Sequence, residues 1–307
     1  MNPIKDLILI RDILRILKRN KPDVFLSYTI KPNIYGSIAA RYAGIKKIYA
    51  MMTGAGSVIR GYSLKFIVLQ KVLLPLYRLA FNYCEKIFFL NEDDLNLFKQ
   101  KKIIVNNEVV LIGSSGINLE KFERKSFKNF NTYLFIGRLI RDKGIYEFLE
   151  AAKIAKKNRP NMKFQVLGPF DSNPTAITPK ELMKYTKSNT VEYLGETNDV
   201  RPFIENCYVV VLPSYHEGQG RVLLEAMAIG RAVITTDTSG CRQTIDYGNA
   251  GFIVPVKDIK ALAKKMIETY DQVELTKKMA EKGYKRVVEF YDVNKINKNL
   301  LENMDLI

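Results

Sequence analysis

The chain has no tryptophan, one histidine and three cysteines in 307 residues. Cys84, Cys207 and Cys241 stand far apart without paired spacing, which argues against a disulfide framework or a cysteine-based zinc site and fits a reducing compartment. His216 alone cannot build a histidine metal cluster. Long apolar runs are missing as well. The best of them, Phe66 to Phe81, is interrupted by Gln70, Lys71, Pro75 and Arg78, so no bilayer span is expected. Lys5, Asp6, Arg11 and Asp12 lie among the first aliphatic residues, so these residues are not expected to form a signal peptide. There is no internal repeat and no low-complexity tract. What remains is a folded cytoplasmic protein, large enough for two domains.

Charge is present in excess of one sign. The net charge is +16, and residues 1–125 hold 21 Lys/Arg against 10 Asp/Glu. A basic first half points to a polyanionic partner, either anionic lipid headgroups or a phosphate-bearing substrate. Nucleic acid is set aside, because the cations do not cluster with aromatics in any RNA- or DNA-binding motif.

Apolar runs alternate with helical patterns, which predicts an α/β fold with parallel sheets. Strands are expected at Asp23–Tyr28, Lys47–Met51, Lys86–Leu90 and Val109–Ile112, then at Thr132–Gly137, Lys163–Gly168, Thr190–Leu194, Tyr208–Leu212, Ala232–Thr236 and Gly251–Val254. Helices are expected at Ile4–Arg19, Ser37–Tyr42, Leu64–Tyr83, Glu92–Lys101, Gly144–Lys157, Val222–Gly230 and Ile259–Tyr270. The charge-rich stretch Ser114 to Asn131 reads as a linker between two doubly wound domains. The division expected is 1–120, 121–285 and a C-terminal helix, 286–307, packing back toward the first domain. Leu64–Tyr83 is apolar almost all round and reads as a core helix of the first domain; contact with the inner leaflet is the alternative. Glu92-Asp93-Asp94 reads as the acidic first turn of a helix and not as metal ligands.

The most informative stretch runs from Pro213 to Ala228. A buried strand leads into a glycine-containing loop with Glu217, then into a helix carrying Glu225. A helix beginning after a parallel strand aims backbone N–H groups and a positive dipole end at its ligand, which suits a diphosphate. The carboxylates can take hydrogen bonds from sugar hydroxyls, so the segment reads as a nucleotide-sugar site. Gly137-Arg138, Gly168-Pro169, Pro213–Gly220 and Thr236–Gly240 all fall at strand ends, where doubly wound sheets bind ligands. In Gly137-Arg138-Leu139-Ile140-Arg141-Asp142-Lys143-Gly144 the cations can neutralise a departing diphosphate, with Arg141 the one expected to be merely solvated. His216, beside Glu217, is read as a loop neighbour and not a base.

These motifs, with Thr236-Asp237…Gly240-Cys241-Arg242…Gly251-Phe252-Ile253-Val254-Pro255, resemble glycosyltransferase family 4 across roughly residues 2 to 290. The resemblance implies two Rossmann-like domains in the GT-B arrangement. Tyr28-Thr29-Ile30-Lys31-Pro32-Asn33 and Thr53-Gly54-Ala55-Gly56 are similar to bacterial enzymes that build capsule, O-antigen and related glycans. Their acceptor is typically a sugar on polyprenyl diphosphate. Carried over by motif, Glu217, Arg138 and Lys143 would be catalytic. Gly137, Gly218, Gln219, Gly220, Arg221 and Glu225 would bind the donor, and Lys31, Asn33, Gly54 and Gly56 would face the acceptor.

The implied activity is transfer of a hexose or N-acetylhexosamine from a UDP donor, with retention and same-face attack. No metal or cofactor is implied. Partners would be a nucleotide sugar, a lipid-linked glycan and the inner face of the plasma membrane. A non-catalytic nucleotide-sugar-binding remnant and a GT-B epimerase are the rival readings. The resemblance also places about two further βα units, each of about 30 residues, ahead of the first helix. The first domain is therefore expected to be incomplete, with weak or absent activity for this chain alone.

Overall fold

The computed structural model describes residues 3–61 and 63–307. Met1 and Asn2, where the first expected domain begins, lie outside the described residues. The chain divides into two compact units: residues 1–115 with 297–307, and residues 116–296.

Unit 1 alternates helix and strand: α1 (Pro3–Asn20), β1 (Val24–Tyr28), a π-helical turn (Pro32–Gly36) running into α2 (Ser37–Tyr42), then β2 (Lys47–Met52). It continues with α3 (Gly56–Arg60), α4 (Leu64–Phe81), β3 (Lys86–Phe89), α5 (Glu92–Gln100) and β4 (Glu108–Leu111). The strands pair in parallel in the order β1-β2-β3-β4. Continuous apolar runs such as Ile48 to Met52 are buried on both faces, as parallel strands require. The core gathers Ile48, Ala50 and Phe89 with Leu73, Tyr77 and Phe81 of α4, and the rings of Tyr77, Phe81, Phe89 and Phe98 interlock. Only one side of α4 enters that core, because its 3.6-residue period turns Leu64, Val68, Val72 and Leu79 outward. The expected core helix thus buries one face in the core and leaves exposed an outer face that is also largely apolar. Glu92, Asp93 and Asp94 form the first turn of α5, capped by Asn91, whose side chain accepts from the Asp94 N–H.

Unit 2 holds β5 (Thr132–Ile136), a 3-10 turn (Arg141–Lys143), α6 (Ile145–Asn158), β6 (Lys163–Leu167), α7 (Pro179–Lys187), β7 (Glu192–Tyr193) and α8 (Arg201–Glu205). Then follow β8 (Val209–Leu212), α9 (Arg221–Ala228), β9 (Ala232–Thr236), α10 (Ser239–Thr244), β10 (Phe252–Val254), α11 (Ile259–Asp271) and α12 (Val273–Phe290). The strand order is β10-β9-β8-β5-β6-β7, parallel throughout. The chain builds outward from β5 through β6 to β7, then returns to place β8 on the other side of β5. That reversal between β5 and β8 is the switch point at which such sheets open a crevice for ligands.

The boundaries differ from expectation. Residues 117–131 are no linker: Ile117 is buried, Leu119 and Phe122 pack on the core, and the Lys125 N–H donates to the Ile229 carbonyl. Their apolar side chains are too widely spaced among charges to show a period. From Gly116 onward the stretch therefore belongs to unit 2, which also retains residues 286–296. The last helix, α13 (Val293–Asn303), runs across the division, and residues 297–307 cluster with unit 1, where the Tyr49 hydroxyl donates to the Met304 carbonyl.

Candidate functional site

Four loops of unit 2 meet at the carboxyl ends of β5, β6, β8 and β9, and glycine lets them approach. A Cβ on Gly168 would lie 1.9 Å from the Gly137 carbonyl oxygen, and one on Gly144, at φ +75°, 2.0 Å from that of Pro213. A Cβ on Gly240 would lie 2.5 Å from the Glu217 carbonyl oxygen. Each contact is backbone against backbone, and only glycine permits it. Polar side chains tie the same loops. The Ser214 hydroxyl and the Tyr215 N–H both donate to the Asp142 carbonyl, at 2.9 and 2.8 Å. The Thr236 hydroxyl donates to the Ser214 carbonyl.

This framework brings Lys143 from the 3-10 turn to Glu217 from the loop after β8, with Nζ 2.5 Å from Oε1. The pair is separated by 74 residues in sequence. Around it three more cations are held by carboxylates: Arg138 by Asp171 at 3.1 Å, Arg221 by Glu225 at 3.1 Å, and Arg242 by Asp237 at 2.5 Å. The sequence supplies cations for a diphosphate. The structure adds that Arg138 and Lys143 each rest on an acid, so a bound anion competes with those carboxylates for them. Arg141 is exposed and stacks on the Tyr146 ring at 4.5 Å.

Glu225 is 8% exposed, packed among the apolar residues of α9. Burial raises its carboxyl above the ordinary range, and Arg221 offsets this only in part. A buried carboxylate sharing one guanidinium retains acceptor capacity for hydroxyl groups. Gly218, Gln219 and Gly220 form the approach to α9, with Gly220 its N-cap residue. The His216 side chain is exposed, and its carbonyl accepts from Ser214. Burial pushes the Cys241 thiol up to about 11 and those of Cys84 and Cys207 up to about 12, which removes all three as nucleophiles at neutral pH.

Two partners are not visible from sequence. The Tyr215 hydroxyl donates to Glu147 Oε1 at 2.6 Å, and Lys257 Nζ lies 4.8 Å from the centre of the Tyr215 ring. Burial, and then Glu147, raises the Tyr215 phenol, which therefore stays a neutral donor. Glu147 Oε2 is buried without a partner. In the sequence Glu147 looks like one more charge on the first turn of an amphipathic helix, so nothing marks it.

In unit 1, Lys31 and Gly54 stand at strand ends, and a Cβ on Gly56, at φ +71°, would meet Ile30 Cδ1 at 2.6 Å. Lys31 Nζ donates to Asp6 at 2.8 Å, and this bond holds the Asp6 carboxyl below its usual range. Tyr35 donates to the other Asp6 oxygen at 3.0 Å. Asn33 corrects the expectation of an acceptor-facing side chain. It is fully buried, its amide donates to the Met51 carbonyl at 2.9 Å, and its oxygen accepts from Ser27 at 2.8 Å. Its work is to tie the end of β1 to the end of β2. Among the described residues no group of histidine, cysteine, aspartate and glutamate side chains could hold a metal ion.

The family described as "Glycosyl transferases group 1" matches residues 117–286, and "Glycosyl transferase 4-like" matches residues 2–91. The N,N'-diacetylbacillosaminyl-diphospho-undecaprenol alpha-1,3-N-acetylgalactosaminyltransferase of Campylobacter jejuni is 30% identical over 95% of this chain and 79% of its own length. The capsular polysaccharide biosynthesis glycosyltransferase CapM of Staphylococcus aureus is 28% identical over 92% of this chain and 78% of its own. Among solved structures, Anabaena HepE in complex with UDP superposes with a TM-score of 0.78 at 18% identity, covering 97% of this chain and 82% of that one. The shared fold is GT-B, two Rossmann-like α/β units.

Proposed function

Because the chain belongs to the glycosyl transferases group 1 family, we propose that it moves a hexose or N-acetylhexosamine from a UDP-sugar, with retention, to a lipid-linked sugar. The acceptor would ride on polyprenyl diphosphate at the inner face of the plasma membrane, and the product would be a surface polysaccharide. The observation that carries the reading is the Lys143–Glu217 pair at the switch point, flanked by Arg138, Arg221 and Glu225. The C. jejuni relative, named for a diphospho-undecaprenol acceptor, and HepE, crystallised with UDP, support the choice of substrates.

In this scheme the donor diphosphate takes Lys143 from Glu217 and Arg138 from Asp171. Two cations then neutralise the charge that grows on the leaving phosphate as the bond to the sugar C1 breaks. Glu217, released, accepts from a donor-sugar hydroxyl. Glu225 accepts from the ribose. The backbone of Gly218–Arg221 and the dipole of α9 add partial positive charge beside the phosphates. Attack comes from the face the diphosphate leaves, and a phosphate oxygen takes the acceptor proton. With cations in that place, no metal ion is called for.

The test is a thermal-shift panel with UDP, GDP, UMP and UDP-sugars, followed by turnover with a synthetic polyprenyl-diphosphate sugar. At 100 times the dissociation constant, UDP should stabilise the fold by about 2.7 kcal/mol. A UDP-selective shift absent from Arg138→Ala and Glu225→Ala is the expected result. A cooperative melt that no nucleotide moves overturns the reading, and binding without turnover leaves a nucleotide-sugar-binding protein.

A further inference from the structure

The outer face of α4 has the chemistry of a membrane surface helix. Leu64 is 77% exposed and Val68 and Val72 each 57%, with Ile67, Pro75 and Leu79 also exposed. Their spacing draws a stripe from the first turn to the last, about 22 Å long at 1.5 Å per residue. Lys65, Lys71 and Arg78 border it, and the helix contains no aspartate or glutamate. Arg78 donates to the carbonyls of Lys101 and Lys102, which brings the basic segment after α5 against its C-terminal half; Val105 there is exposed. Single exposed aliphatics need no explanation, but six along one helix do. The inner face, with Leu73, Tyr77, Ala80 and Phe81, already fills the core, so the stripe is not a core face misplaced.

We infer that α4 lies on an anionic lipid bilayer, its aliphatic stripe at the acyl boundary and Lys65 and Lys71 among the headgroups. Among the described residues no helix is long and apolar enough to cross a membrane, so the contact is peripheral. An acidic protein partner would satisfy the lysines but not the aliphatic stripe between them. A second copy of this basic unit would set like charges together. The inference rests on the lipid-linked acceptor proposed above for its purpose, yet it is measurable without any acceptor.

The experiment is co-sedimentation of the full chain with vesicles of phosphatidylcholine alone and with phosphatidylglycerol added, in roughly 2:1 proportion. Binding only to the anionic vesicles is expected. Val68→Glu/Val72→Glu and Lys65→Glu/Lys71→Glu should each weaken it at least tenfold. Both variants sit on an exposed face, so their melting temperatures and their UDP shifts should match the parent. Parent protein that stays in the supernatant overturns the inference, as does undiminished binding by both variants. So does a parent dimer that the valine variant converts to monomer, which would put a second copy on the stripe. A UDP shift that fails in the parent counts against the donor site and leaves the vesicle result to stand by itself.

Discussion

At the scale of single residues the site is a set of cations resting on carboxylates, and the sharpest prediction concerns Lys143. Lys143→Ala should lower kcat by about 100- to 1,000-fold, as loss of one preorganised charge donor does, while leaving the melt nearly unmoved. Steady-state kinetics with a UDP-sugar check it. Glu225 predicts the reverse trade. Its raised carboxyl means that the folded state holds protons more tightly than the unfolded chain. Stability from this group is therefore full at low pH and falls as pH rises through the window above the ordinary carboxylate value. Glu225→Gln should flatten that decline and raise the urea midpoint at neutral pH, yet weaken UDP binding about tenfold or more. Tyr215 and Glu147 are positioning residues by geometry. Tyr215→Phe should cut kcat about tenfold, and Glu147→Gln, whose carbonyl still accepts, should retain most activity. The double variant should be no worse than Tyr215→Phe alone, and additive losses would separate the two residues.

At the scale of elements, the close approaches of the loops decide whether these side chains meet. Gly144→Ala must place a Cβ at positive φ and against the Pro213 carbonyl. A Cβ added to Gly195, at φ +80°, would meet nothing within 4 Å, so that position serves as the control. Gly195→Ala should cost about 1–2 kcal/mol from backbone strain alone, and Gly144→Ala clearly more, with urea unfolding as the measure. Much of this level is legible in the sequence. The apolar runs at Tyr133–Ile136 and Val209–Leu212 and the glycines after them announce parallel strands ending in ligand loops. Glu217 and Glu225 stand out because one lies in a glycine loop and the other among apolar helix residues. What the sequence hides is pairing over distance. Asp171 and Glu147 carry no local pattern, and Asn33 sits in a motif whose polar residue is an internal tie. The helix α7 has no place among the expected helices, although Thr178 and Glu181 form a capping box around Pro179. Residues 117–131 pass for a linker because scattered apolar side chains among charges show no period.

At the scale of the whole molecule, two units with separate cores should respond separately to a ligand bound by one of them. Calorimetry should resolve two transitions, with UDP raising the one that belongs to residues 116–296. One transition displaced as a whole would show that the units unfold together. The last helix bears on how this chain comes into being. Residues 297–307 cluster with residues 1–115, so that unit gains this segment only after residues 116–296 have been synthesised. On the ribosome unit 2 can close while unit 1 still waits for residues 297–307. A stop codon placed just before residue 297 would spare unit 2 and leave unit 1, encoded far upstream of it, without this segment.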